Sequence, residues 1–283
     1  MANSNSNADA ADRIRALYRA LLDREPDIGA SEKTDRLAAG RSSLEDIVRE
    51  IVGSKEYADR FGAVRETPAP SEPKTFTNDQ TQFGELEILL RLWINGTARQ
   101  RIVVDVGARG RERSNSFDLM RTFGWRGILF EANPNLIPSI HSAFAGLDYE
   151  LVQCAVSDYS GEAVFHLGVN DDVSSLDPEA ASGWGPISGA IAVEVQRLGS
   201  ALQKRAVPTD FDLLSIDIEG EDIKVLNDLI DNSPFRPGWV VIEASYDFTT
   251  TSLDDLPFSA KVRETYALVG QTVANLILQR VGQ

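Results

Sequence analysis

Five short runs rich in Val, Ile and Leu recur along the second half of the chain, at residues 102–106, 127–131, 150–155, 211–217 and 238–243. Apolar residues at consecutive rather than alternate positions predict strands buried on both faces of a parallel sheet. Helical and polar stretches separate them, as in an α/β architecture. Two other segments, Ala163–Gly168 and Ile191–Arg197, alternate enough to predict a paired side ribbon. Residues 266–270 and 272–278 surround a tight turn and predict a closing antiparallel hairpin.

The first part of the chain has a different period. Ile14, Leu17, Tyr18, Leu21 and Leu22 form a helical stripe, and Leu44, Ile47, Val48, Ile51 and Val52 repeat it after a capping box read at Ser42–Glu45. Residues 24–29, with Pro26 and Gly29, break the first helix, and Ser54–Tyr57 opens a short further one. Residues 8–62 thus read as a small helical module that needs a partner face, on the main domain or on another chain. Pro68, Pro70 and Pro73 mark residues 63–78 as an extended linker and place the domain boundary there. The second domain, 79–283, opens with a helix near 79–94 that carries Leu86, Leu89, Leu90 and Trp93 on one face.

Composition narrows the partners. With 43 acidic and 28 basic residues the 283-residue chain has a net charge of -15, which disfavours nucleic acid and anionic lipid. Its single cysteine, Cys154, lies in an apolar run and reads as a small packed hydrophobe. No disulfide can form within the chain, which suits a reducing compartment. Residues 1–7 have neither a basic nor an apolar leader segment, and no apolar run is long enough to span a membrane. A soluble cytoplasmic protein is expected.

The candidate chemistry lies at strand ends. The first strand delivers Asp105, then Gly107 and Ala108; the second ends in Glu131. An acid and a glycine open a crevice at the carboxyl edge of such a sheet, and a second acid grips ribose hydroxyls. A dinucleotide site would want three glycines spaced to admit a pyrophosphate, whereas here Gly107 and Gly110 have the wrong spacing and Arg113 follows. S-adenosylmethionine, which has no phosphate, is the cofactor this pattern favours. A ligand-free turn would need only one acid, and Glu131 in the matching position argues against it.

Six phrases then line up in order: Val104–Ala108, Ser114–Phe117, Gly124–Pro134, Ala155–Gly161, Asp212–Gly220 and Val240–Glu243. Together they resemble the FkbM family of S-adenosylmethionine-dependent methyltransferases over roughly residues 100–280. The resemblance implies a Rossmann-like class I methyltransferase sheet with helices on both faces, preceded by a small N-terminal helical domain. It implies O-methylation of a sugar hydroxyl on a glycan, glycolipid or glycosylated natural product. Leu17–Pro26 resembles the start of phycobilisome-linker-like helical modules, which accompany bacterial surface-glycan proteins. That likeness implies polysaccharide biosynthesis, with a homo-oligomer or a glycan-assembly partner held through these helices. One departure stands out: Arg109, Gly110 and Arg111 replace the family's Asn-x-Gly. Either the loop is rearranged or the cofactor site is lost. The second case would make the chain a non-catalytic Rossmann-like interaction protein in a glycan-assembly complex.

Carried over residue by residue, Asp105 and Gly107 would floor the methionine part of the cofactor, and Ala108 would allow close approach. Glu131 would accept both ribose hydroxyls. Asn133 would touch the adenosine or form an Asx turn before Pro134; Ser157 and Asp158 would read the adenine amino group, unless Asp158 is only a turn residue. His141 and His166 fall on surface segments, so carboxylates are the candidate proton acceptors: Asp217, Glu219 and Glu243. Asp217 and Glu219 would face opposite sides if their strand continued. Asp217 and Glu243, at the ends of neighbouring strands, would act as a base and its partner or as ligands of Mg²⁺. Their plainer reading is a helix cap for Asp217 and an ion pair for Glu243.

Overall fold

The computed structural model describes residues 2–27, 29–57, 79–92, 94–169, 173–183, 185–244 and 252–282. The linker and boundary expected at 63–78, and Trp93, lie outside them. Three helices come first: α1 (Ala2–Leu22), α2 (Ala30–Ala38) and α3 (Leu44–Val52). Helices α4 (Glu85–Arg91) and α5 (Ile94–Thr97) precede strand β1 (Ile102–Val106). Then follow α6 (Phe117–Phe123), β2 (Arg126–Glu131), α7 (Ile137–Ala143), β3 (Tyr149–Gln153), β4 (Ala155–Ser157) and β5 (Gly161–Gly168). Next are α8 (Pro178–Ala181), β6 (Ile187–Arg197), α9 (Leu198–Lys204), β7 (Leu213–Ile216), α10 (Asp222–Asn232) and β8 (Trp239–Glu243). Finally come α11 (Ala260–Thr265), β9 (Tyr266–Gln271) and β10 (Asn275–Arg280).

Seven strands form one sheet in the order β3-β2-β1-β7-β8-β10-β9. All pair in parallel except β10, which runs antiparallel to β8 and β9. The expected closing hairpin is therefore present. The expected ribbon is present too: β5 and β6 pair antiparallel, and β4 joins β6 in a separate three-stranded sheet. The single run read at 150–155 is split at Cys154, whose N–H turns back to the Val152 carbonyl at 3.1 Å. That turn sends Ala155–Ser157 to the second sheet.

Successive strand residues point to opposite faces, and each face has its own core. Val103, Leu129, Leu213, Val241 and Ile277 join one cluster; Val104, Ile128, Leu214, Val240 and Leu278 join the other. Helices α6 and α7 cover the first face, and α9, α10 and α11 the second. The mixed α/β fold with helices on both faces of a mostly parallel sheet follows from this double burial, worth about 1.5–3 kcal/mol per large side chain.

The N-terminal helices pack into the first of these clusters: Ile14, Leu21, Ile47 and Tyr57 are buried there with Leu89 and Ile94. Helix α5 serves two buried indoles, since Trp125 Nε1 donates to Asn95 Oδ1 (3.1 Å) and Trp239 Nε1 to Thr97 Oγ1 (3.0 Å). The capping box stands one residue further on than Ser42–Glu45: Ser43 is extended, its hydroxyl accepts from the Asp46 N–H, and Asp46 returns the bond. The helix read near 79–94 starts only at Glu85. Asp79 Oδ1 instead accepts from the Thr81 N–H at 2.9 Å and folds residues 79–84 into a turn. No helix among the described residues is long and apolar enough to cross a membrane.

Candidate active site

β1 ends at Val106, and the chain turns at Gly107, where φ is +91°. The N–H groups of Gly107 and Ala108 both donate to the Phe130 carbonyl, at 3.0 and 2.9 Å. This ties the turn to the end of β2 and sets Glu131 beside it. Glu131 is buried, and its Oε1 accepts from the Asn133 N–H at 2.6 Å. Burial pushes its carboxyl up to about 7 against the pull of the Asn133 and Ala132 N–H groups. Asn133 meets Glu131 through its backbone, while its Oδ1 accepts from the Asn135 N–H at 3.0 Å in the expected Asx turn.

A cavity opens between Glu131, Phe130, Leu136, Val106 and Val156. Gly107, Arg109, Asp217 and Glu219 also line it. Cys154 contributes to the wall, with its thiol pushed up to about 12 by burial, so it is chemically quiet. Ser157 and Asp158 stand outside this lining. The Ser157 hydroxyl donates to Glu221 Oε2 (2.5 Å), and Asp158 lies 3.7 Å from Lys224 Nζ.

A second cavity of similar size adjoins the first. Gln82, Asp105, Ser114, Asn115, Arg113 and Ser215 contribute to its lining, and it shares Gly107, Arg109, Asp217 and Glu219 with the first. Asp105 is buried, and the Ser116 hydroxyl donates to it at 2.5 Å. Burial raises its proton affinity, and the hydrogen bonds from Ser116 and Ser215 oppose that. Arg111 is drawn aside: its Nε lies 3.3 Å from Gln80 Oε1, and its guanidinium 5.7 Å from the centre of the Phe117 ring. Only Arg109 of the two cations that replace the family pattern lines the cavities.

The parallel pairing of β7 with β8 brings Asp217 and Glu243 to adjacent strand ends. The Asp217 N–H extends the ladder to the Val106 carbonyl at 3.0 Å. The strand does not continue: Glu219 takes φ of +58°, an uncommon conformation for a side chain of this kind. The condition for opposite sides is therefore not met, and Asp217, Glu219 and Glu243 present carboxylate oxygens within 4.8 Å of one another. Burial, then Glu243, Asp222, Glu219 and Asp105, hold Asp217 well above the usual carboxylate range. Carboxyl groups this close do not all ionise together at neutral pH.

Asp222 is the residue holding the candidate site's loop that sequence reasoning passed over. Its Oδ1 accepts from the Ile218 N–H (2.9 Å) and its Oδ2 from the Gly220 N–H (3.0 Å), clamping the loop that carries Asp217 and Glu219. The N-cap position of α10 is Glu221, with no side-chain cap hydrogen bond, so the capping alternative for Asp217 is not seen. The only sequence signal for Asp222 was an acid just past the glycine turn. The histidines are elsewhere: His141 Nδ1 lies 2.8 Å from the Tyr149 hydroxyl, and the His166 backbone pairs with Ser175.

No curated protein matches the chain. The family model described as the methyltransferase FkbM domain matches residues 105–261, leaving the N-terminal helices outside the matched region. That region is more than half of the chain and includes Asp105, Glu131, Asp217, Glu219 and Glu243, so the protein belongs to the FkbM methyltransferase family.

Proposed function

We propose that the protein is an S-adenosylmethionine-dependent O-methyltransferase acting on a sugar hydroxyl of a glycan, glycolipid or glycosylated natural product. One observation carries the reading: buried Glu131 and the Asp217 and Glu219 carboxylates border one pair of adjoining cavities, with a Glu243 carboxylate oxygen within 4.8 Å of those of Asp217 and Glu219. The first cavity combines apolar walls with charged groups at its rim. Phe130, Leu136 and Val156 would hold the nucleoside base, and Glu131 would accept the ribose hydroxyls. When bound, the cofactor supplies an electrophilic methyl group. The chain's own share is to orient the acceptor and to take its hydroxyl proton.

Asp217 and its two carboxyl neighbours suit that proton. Crowding keeps at least one of them protonated and leaves another ionised as acceptor. The same three oxygens would also fit a hard cation such as Mg²⁺, which lowers a hydroxyl's pKa. The competing reading, a Rossmann-like interaction protein, draws on Arg109, whose guanidinium lines both cavities. In either reading the N-terminal helices serve to dock a glycan-assembly partner or a second copy, and the protein works in the cytoplasm. Calorimetric titration with S-adenosylhomocysteine, followed by transfer of a labelled methyl group to a panel of sugar acceptors, tests the proposal. No binding would overturn the cofactor; binding without transfer to any sugar would overturn the acceptor.

A further inference from the structure

The peptide joining Glu219 to Gly220 is held at both of its polar ends by side chains. Its N–H, on Gly220, donates to Asp222 Oδ2 at 3.0 Å, and its carbonyl, on Glu219, accepts from the Ser175 hydroxyl at 2.7 Å. A peptide plane anchored at both ends cannot turn over, and Glu219 stands at its edge with φ of +58°. A residue with a side chain leaves such a conformation unless its surroundings hold it there. The Asp222 contact is local to the loop. Ser175 comes from 44 residues earlier in the chain and is fully buried.

Ser175 is itself fixed through its backbone and its hydroxyl. Its N–H and carbonyl pair with the backbone of His166 in β5, at 3.0 and 2.8 Å. Its Oγ accepts from the Asp177 N–H at 3.0 Å, and its single hydroxyl proton goes to the Glu219 carbonyl. Asp177 caps α8 by accepting from the Glu179 N–H at 2.8 Å, and a Cβ on Gly220 would lie 3.4 Å from Ala180 of that helix. The residues on either side of Ser175, Ser174 and Leu176, line the first cavity. One short segment thus walls that cavity and braces the acid-bearing loop.

We propose that Ser175 is a positioning residue for methyl transfer, its hydroxyl holding the Glu219–Gly220 peptide in the orientation that keeps the Glu219 carboxylate beside those of Asp217 and Glu243. The inference rests on the methyl-transfer reading above and adds to it a residue that lines neither of the two cavities. The three carboxylates share a space of 4.8 Å because the strand stops and the chain turns at Glu219. Without the hydroxyl the peptide turns over, Glu219 swings out of the group, and the acceptor proton meets a misplaced base. The pairing with His166 uses backbone alone, so the wall formed by Ser174 and Leu176 stays where it is. The expected signature is a loss of turnover with cofactor affinity retained.

The test uses the full chain, calorimetric titration with S-adenosylhomocysteine, and transfer of a labelled methyl group to a panel of sugar acceptors. Ser175→Ala is expected to lower kcat about tenfold to a hundredfold while S-adenosylhomocysteine affinity stays within about threefold of wild type. Ser175→Thr keeps the donor and is expected to retain kcat within about threefold. Ser175→Cys, with a weaker donor, is expected to fall between wild type and Ser175→Ala, and carries the comparison where either of the others does not fold. A Ser175→Ala kcat within about twofold of wild type, a loss of kcat matched by an equal loss of affinity, or a folded Ser175→Thr as impaired as Ser175→Ala would overturn the role and leave the methyl-transfer reading intact. A wild-type chain that methylates no acceptor would overturn that reading and this role with it.

Discussion

Gly107 and Asp217 meet backbone to backbone: a Cβ placed on Gly107 would stand 1.8 Å from the Asp217 carbonyl oxygen. The turn after β1 and the loop after β7 are therefore one packed unit, and φ of +91° adds strain for any side chain at 107. Gly107→Ala is expected to lose on the order of 4 kcal/mol or to fail to fold. A thermal melt within a few degrees of wild type would show that the loops can part without penalty.

Glu131 should dominate nucleoside affinity. Glu131→Ala is expected to weaken S-adenosylhomocysteine by about 1–3 kcal/mol, roughly tenfold to a hundredfold, in calorimetric titration. Unchanged affinity would remove Glu131 from the site.

The same residue gives the unliganded protein a pH dependence. Its carboxyl is raised from 4.5 to about 7 by burial, so the folded state binds the proton more tightly than the unfolded chain. The stabilising contribution is fully present below about pH 4.5 and is lost as pH rises through about 7. Asp222, raised to about 7 by burial and by Glu243, acts in the same direction. Melting temperature measured between pH 5 and 8 should fall less steeply for Glu131→Gln than for wild type. Parallel curves would contradict the assignment.

Asp217 and Glu243 should behave as one unit. Asp217→Asn, Glu243→Gln and the double variant are expected to lose similar amounts of turnover, with smaller changes in cofactor affinity. Activity lost to chelator and restored by Mg²⁺ would identify a metal, and indifference to chelator a shared base. Near wild-type turnover in both single variants would make the pair structural.

Deletion of residues 1–70 tests the division into a helical module and a sheet domain. Ile14, Leu21, Ile47 and Tyr57 are buried with Leu89 and Ile94, so the shortened chain is expected to melt lower and to expose an apolar face. A melting temperature equal to that of the full chain would establish the independence that the prolines suggest.

The strands were readable because burial on both faces writes an uninterrupted apolar run, as in Ile128–Phe130 and Trp239–Ile242. Glu131 was readable for the same reason, as an acid closing such a run. Helix α2 was not, because Ala30 is its only fully buried residue and it has no stripe to detect. The break at Cys154 lies inside an apolar run and is set by which sheet each half joins. Asp222 and the 79–84 turn escaped because their roles depend on backbone N–H groups and neighbours distant in sequence, which leave no periodicity behind.

β10 lies between β8 and β9, yet it is the last strand in the described chain. During synthesis, which proceeds at about 5–20 residues per second, β8 therefore waits with a bare, apolar edge until residues 275–280 emerge. An exposed edge of this kind recruits other strands. The nascent chain thus passes through an interval in which the carboxyl end of β8 is made but open to the wrong partner. Conditions that slow translation of residues 244–280, or destabilise the β9–β10 turn, should lower soluble yield well before they alter the properties of the molecules that do fold.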